Sequence, residues 1–188
     1  MTSSLPAPGP DGRLRCPWSL SSPEYLRYHD EEWGRPVHDD TAMFERLCLE
    51  AFQSGLSWLT ILRKRENFRR AFHGFDERAV AAFGPDDIER LLGDAGIVRN
   101  RAKIEAAVAN AGAALRLPGG LAALVWGYAS PGSVPVSLAD VPSQTSSSRA
   151  LAKDLRSRGF RFTGPVTAYA TMQACGVVND HLAACICR

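Results

Sequence analysis

The sequence predicts an all-α fold. Apolar residues recur at spacings of three and four over most of the chain, strand-like alternation is nearly absent, and Ser, Asp, Pro and Gly stand where helices should begin and end. Residues 1–13 are rich in Ser, Pro and Gly, offer nothing periodic to bury, and read as a flexible tail ahead of a single helical domain over 14–188. Ser22 followed by Pro23 is a cap followed by a good first helical residue, opening a helix through Trp33 that Gly34 can close. From Asp40 to about Gln53, the residues Met43, Phe44, Leu47, Cys48, Ala51 and Phe52 fall on one stripe, the mark of an amphipathic core helix. Shorter helices are expected at 58–72, 76–83 and 85–93, then a longer one from about Arg99 to Leu117, favoured by the alanines of 101–114. Pro and Ser punctuation over 130–148 marks a long surface loop. The chain finishes with a helix over 148–158, a tight GFRFTG connection and a helix from Pro165 to about Cys175.

Composition bounds the function. With 45% hydrophobic and 22% charged residues in 188, the chain is ordinary globular material, not disordered or fibrous. No apolar run approaches the roughly 18 residues of a membrane span, and MTSSLPAPGPDGRLR lacks the apolar centre of a secretion signal, so a soluble, cytoplasmic protein is expected. Five cysteines, an odd number, argue against a disulfide framework and leave thiols free to bind metal or fill core. The balance of 22 basic against 20 acidic side chains is too even to announce a nucleic-acid partner by itself.

Four constellations could carry chemistry. Two Cys with two His are a common ligand set for tetrahedral zinc. His181 and Cys185 lie one turn apart if their stretch is helical, and Cys16 with His29 could supply the other pair, tying the N-terminal segment to the C-terminal end. Spacing alone favours the plainer reading of scattered core cysteines and surface histidines. The element RALAKDLRSRGFRFTGPVTAYATMQAC, Arg149–Cys175, fits either a helix–hairpin–helix or an ordinary αα-hairpin of the core. In the first case Gly159 and Gly164 let backbone N–H groups approach a DNA phosphate, with Arg156, Arg158 and Arg161 adding positive charge. The basic cluster Arg63-Lys64-Arg65, Arg69 and Arg70, with Arg99, Arg101 and Lys103 further on, reads first as a solvated helix face. The last is an aromatic set, Trp18, Tyr25, Tyr28, Trp33 and Trp58, with one carboxylate, Glu50. Glu50 sits at the border of its helix's apolar stripe, where it can reach a pocket at the edge of the core or pair with a surface base.

The motifs RCPW at 15–18, YHDEEWG at 28–34, LEAFQSGLSWLTIL at 49–62, KRENFRRAF at 64–72, DAGIVRNRAKI at 94–104, GFRFTGP at 159–165 and MQACGVVNDH at 172–181 occur together and in this order. With them the chain resembles the 3-methyladenine DNA glycosylase I (Tag) family of base-excision repair, from about Arg15 to Cys187. The resemblance implies a helix–hairpin–helix DNA glycosylase fold whose one structural Zn2+ sits on Cys16, His29, His181 and Cys185. It implies a base pocket with Glu50 as the catalytic carboxylate, Tyr28 and Trp58 stacking on the base, and Trp18, Tyr25 and Trp33 lining the wall. Leu56, in the QSGLSW turn, would fill the gap left by a flipped nucleotide, and Gly159, Arg161 and Gly164 would meet the DNA. The implied partner is duplex DNA containing 3-methyladenine, with no membrane, no nucleotide cofactor and no lyase step, and the implied state is a monomer. A zinc-stapled DNA-binding module without catalysis is the alternative. Asp180, beside a metal ligand, is the nearest acid after the hairpin element. The chain departs from the family pattern at Ala170 and Thr171, in YATMQACG where relatives carry YSFMQACG, and that bears on which alkylated bases the pocket selects.

Overall fold

The computed structural model describes residues 4–188. Among them helices dominate, in the order α1 (Pro23–Glu31), α2 (Asp40–Gln53), α3 (Trp58–Ala71), α4 (Glu77–Ala81), α5 (Pro85–Gly93), α6 (Arg101–Ala114), α7 (Gly120–Trp126), α8 (Ser146–Ser157) and α9 (Pro165–Ala174). Side-chain caps set most of the starts: Ser22, Asp39, Ser57, Asp76, Asn100 and Thr145 each accept from a backbone N–H in the first turn that follows. No helix among the described residues is long and apolar enough to cross a membrane.

α2 is the centre. It packs against α3, α6, α7 and α9, and its buried residues include Leu49, Glu45 and Glu50 beside the apolar stripe. The one-sided core helix read from the sequence is therefore enclosed on nearly every side. Around it runs an aromatic ladder, Phe52 on Phe68 at 4.7 Å and Phe72 stacked parallel on Phe75 at 5.4 Å between ring centroids. These rings belong to one continuous hydrophobic cluster, whereas Cys16, Leu182 and Cys185 form a second, smaller one against which Trp18 and Leu138 pack.

Three departures from the sequence reading stand out. The stretch read as a tail, 1–13, supplies β1 (Ala7–Pro8), which pairs antiparallel with β2 (Leu14–Arg15) of the domain that follows; residues 1–3 lie outside the described part. The pair rests on the far end of the chain, with Ile186 N–H donating to Leu14 O at 3.0 Å and Leu138 N–H to Ser4 O at 2.8 Å. Second, α7 forms where no helix was expected. Its sequence, GLAALVW, has no periodic polar face and no local cap; Asp40, from the start of α2, accepts from Ala122 N at 2.7 Å instead. Third, the loop before α8 holds a short 3-10 turn at Leu138–Asp140, and another at Pro17–Ser21 precedes α1.

Two glycines are required by close approach. Gly34 (φ 77°) ends the turn after α1, and a Cβ there would sit 2.9 Å from His181 Nε2. Gly176 (φ 71°) lets the chain after α9 pass the backbone of Gly34 and Arg35, which a Cβ would meet at 2.7–2.8 Å.

Candidate active site and Cys/His cluster

A cavity of about 590 Å³ opens at the seam between the two hydrophobic clusters. The sequence-predicted set converges there: Trp18, Tyr25, Tyr28, Trp33, Glu50 and Trp58 all line it. The 3-10 turn after Cys16 brings Trp18, α1 brings Tyr25 and Tyr28, the end of α2 brings Glu50, and the first residue of α3 is Trp58. Tyr28 and Trp58 lie 5.6 Å apart between ring centroids with planes at 50°. Trp18 meets Tyr25 and Trp33 edge to face at 5.8 and 5.1 Å. Tyr25 also accepts the Leu59 N–H at 3.0 Å, which locks α1 to the first turn of α3.

Glu50 has only 7% of its surface exposed, and burial pushes its pKa from 4.5 up to about 8. Desolvation without a compensating cation raises a carboxyl in this way. The same burial, with Glu50 nearby, holds the Tyr28 phenol well above its ordinary value. The cavity thus offers a carboxyl short of a positive partner, among aromatic faces that attract cations. Trp58 Nε1 is buried without a hydrogen-bond partner, the kind of exception that binding sites hold. Ala170, the family departure that the sequence already placed at the pocket, lines it too, and residues missed in the sequence complete the wall, among them Gln53, Leu138 and Gln173. Gln53 and Gln173 sit three residues from Glu50 and Ala170 respectively, a helical-spacing signal that could have found them.

Directly behind the wall, Cys16, His29, His181 and Cys185 are all buried, with their ligand atoms within 4.8 Å of one another. His181 Nδ1 is 3.2 Å from His29 Nε2, 3.6 Å from Cys185 Sγ and 3.9 Å from Cys16 Sγ, and Cys185 Sγ is 3.4 Å from His29 Nε2. The edges of a tetrahedron at ordinary zinc bond lengths are about 3.3 Å between nitrogens and about 3.6 Å between nitrogen and sulfur. The outward nitrogens are engaged: His29 Nδ1 lies 2.8 Å from Asp30 Oδ1, and His181 Nε2 3.1 Å from Trp33 O. Each outward nitrogen faces an acceptor, and with the proton there each inward nitrogen would present a lone pair, the arrangement of metal-binding histidines. Contact between the two sulfurs splits their acidities, lowering Cys185 and raising Cys16. A partly buried fifth cysteine, Cys187, borders the cluster, 3.8 Å from His29 Nδ1. Trp18 and Trp33 rest on the two histidines, at 5.2 Å from His29 and 4.7 Å from His181, so cluster and cavity share a wall.

Two further segments flank this region. Leu56 is 40% exposed at the tip of the turn between α2 and α3, held by Gln53 Nε2 donating to Leu56 O at 2.7 Å. The connection between α8 and α9 presents Gly159 (φ 94°), an exposed Arg161, and Gly164 as the residue before α9. Phe162 holds a left-handed φ of 56° and stays 42% exposed. The basic cluster of α3 is consumed internally: Arg63 pairs with Glu24, Arg65 with Glu32 and Arg69 with Glu45 and Glu66. Arg158 is likewise tied to Asp154 at 2.7 Å.

Similarity to known proteins decides the assignment. The family described as methyladenine glycosylase matches residues 18–188. The chain belongs to the methyladenine glycosylase family. It is 46% identical over 179 residues to DNA-3-methyladenine glycosylase 1 of Escherichia coli (strain K12), covering 92% of this chain and 96% of that one. It is 42% identical over 180 residues to DNA-3-methyladenine glycosylase of Haemophilus influenzae, covering 93% of this chain and 97% of the relative. A crystal structure of 3-methyladenine DNA glycosylase I (TAG) superposes with a TM-score of 0.89 at 46% identity, over 93% of this chain and 99% of its own. In this family member the departing pair in YATMQACG divides its roles. Ala170 lines the cavity, while Thr171 is fully buried and donates to Thr167 O at 3.0 Å within α9. Asp180 accepts from Gln173 Nε2 at 2.7 Å and from the Tyr169 hydroxyl, which ties it to α9.

Proposed function

We propose that this chain is a monofunctional DNA-3-methyladenine glycosylase, which extrudes the alkylated nucleotide from duplex DNA and hydrolyses its N-glycosidic bond, leaving an abasic site. One observation carries the reading: a buried, unpartnered carboxyl inside an aromatic cavity, in a chain whose relatives of near-equal length bear that name. Alkylation at N3 makes adenine cationic and weakens its bond to the sugar, so little leaving-group protonation is needed. Recognition and positioning remain. A base inside the duplex is out of reach, so the nucleotide must flip into the cavity. Tyr28 and Trp58 stack on the electron-poor ring, a cation–π contribution of about 1–2 kcal/mol once desolvated. Glu50 ionises opposite the cation and accepts from the adenine edge. Trp18, Tyr25 and Trp33 exclude water from the remaining wall. No lysine lines the cavity among the described residues, and the reading contains no Schiff-base step.

Leu56 occupies the gap that the flipped nucleotide leaves, and the α8–α9 connection acts as a helix–hairpin–helix, offering the amides around Gly159 and Gly164 and the Arg161 charge to the phosphates. Cys16, His29, His181 and Cys185 hold one Zn2+, supported by the tetrahedral spacing and the two inward lone pairs. With four protein ligands, the ion supplies a cross-link between the chain's two ends and no open catalytic position. The deciding experiment is chromatography of the bases liberated from methylated duplex DNA. Free 3-methyladenine is expected. Tight binding to that DNA with no base released would replace the reading with a damage-binding module.

A further inference from the structure

Both segments assigned to DNA are fastened to the same helix, each by one buried polar side chain that the chemistry of the cavity does not use. Lys103 and Asn110 lie on α6, with 9% and 1% of their surface exposed. Lys103 Nζ donates to Phe52 O at 2.9 Å and to Ser54 O at 2.6 Å. Those carbonyls stand at the C-terminal end of α2, where helix geometry leaves acceptors without partners and the macrodipole is negative. The ammonium group has no carboxylate partner among the described residues; its two bonds go to the backbone that leads into the Leu56 turn. Asn110 grips the other segment in both directions. Its Nδ2 donates to Arg161 O at 3.0 Å, and its Oδ1 accepts from Arg161 N at 2.7 Å. The clasped peptide directly precedes the left-handed Phe162, in a conformation that a bulky residue adopts only when its surroundings enforce it.

Seven residues separate the two side chains, so they project from nearly the same face of α6, about 10 Å apart along its axis. Neither side chain lines the cavity. We propose that Lys103 and Asn110 are positioning residues and that α6 is a spacer, holding the Leu56 turn and the α8–α9 hairpin at a fixed separation so that both engage one duplex at once. The inference rests on the glycosylase reading and adds a requirement to it. A wedge entering the helix stack and a hairpin gripping the backbone act on one rigid partner, and a misplacement of about 1 Å between them is enough to lower the rate about a hundredfold.

The test compares Lys103→Met and Asn110→Ala with the wild-type protein in three measurements: single-turnover release of 3-methyladenine from duplex, fluorescence of a 2-aminopurine placed beside the lesion, and quenching of tryptophan fluorescence by free 3-methyladenine. Each variant is expected to lose at least about tenfold in duplex release and most of the 2-aminopurine signal, while its affinity for the free base stays within about twofold of wild type. Lys103→Arg, which keeps donors within reach of the same carbonyls, is expected to recover part of the loss. Unchanged release and flipping in the folded variants would overturn the spacer, as would a parallel loss of free-base binding, which marks a general structural role. The two side chains hold different segments, so if one variant does not fold the other decides. A wild-type protein that released no base would sink the glycosylase reading instead, and the 2-aminopurine signal would still judge the spacer.

Discussion

Glu50 concentrates the chemistry in one side chain. Its folded-state pKa, about 8, lies above the ordinary 4.5, so the folded protein binds a proton there that the unfolded chain has already lost. Stability is therefore undiminished by Glu50 below about pH 4.5, falls as pH rises between the two values, and levels off above about 8. Glu50→Gln is expected to release that penalty, raising stability at pH 7 by on the order of 2 kcal/mol in denaturant melts, with no gain at pH 4. The same substitution should reduce base release about a hundredfold. A more stable but inactive variant would distinguish a strained functional carboxyl from a structural one, and a destabilised variant would count against the burial argument. Binding of duplex carrying the fixed cation should strengthen from pH 6 toward 8 and then flatten, a trend that Glu50→Gln abolishes.

Among the elements, the arginines of α3 and those around the α8–α9 connection look alike in sequence but differ in what they face. Arg65 makes two bonds to Glu32, at 2.6 and 2.9 Å, in a partly buried pair that joins α3 to the end of α1. Arg65→Ala is expected to lower stability by about 2 kcal/mol and leave the salt dependence of DNA binding unchanged. Arg161 is exposed, and its backbone rather than its guanidinium is engaged. Arg161→Ala should weaken binding to all duplex sequences alike and reduce the slope of log affinity against log salt by about 1, with no change in the melt. Titrations at several salt concentrations check both. The basic cluster of α3, read as a solvated helix face, is instead largely tied up in ion pairs, because sequence spacing reveals charge but not the carboxylates that other elements bring to it.

For the whole molecule, the two ends of the chain meet at the Cys/His cluster, and the cavity leans on that junction through Trp18 and Trp33. Stability and base binding should therefore fall together when metal is removed. Cys185→Ala, or chelation under mild denaturant, is expected to remove one equivalent of zinc by elemental analysis, lower the melting temperature, and weaken free-base binding. A protein purified without metal whose melt and base affinity did not change on adding zinc would overturn the proposed ion.

The helices with their own caps and stripes, α2 most of all, were legible in the amino-acid order because capping and periodic burial are local properties. The aromatic residues and Glu50 that line the cavity were legible too, by resemblance and by residue type. What lay beyond the sequence was set by partners distant along the chain. α7 is capped by Asp40 from 82 residues away, the first residues pair in a hairpin against Leu138 and Ile186, and Glu50 acquires its raised pKa only once α2 is enclosed. Sequence alone determined which chemical groups this protein has and where its self-capped helices begin. The tertiary structure decided which of those groups lose water and which are brought face to face, since desolvation and through-space contact exist only after the chain has packed.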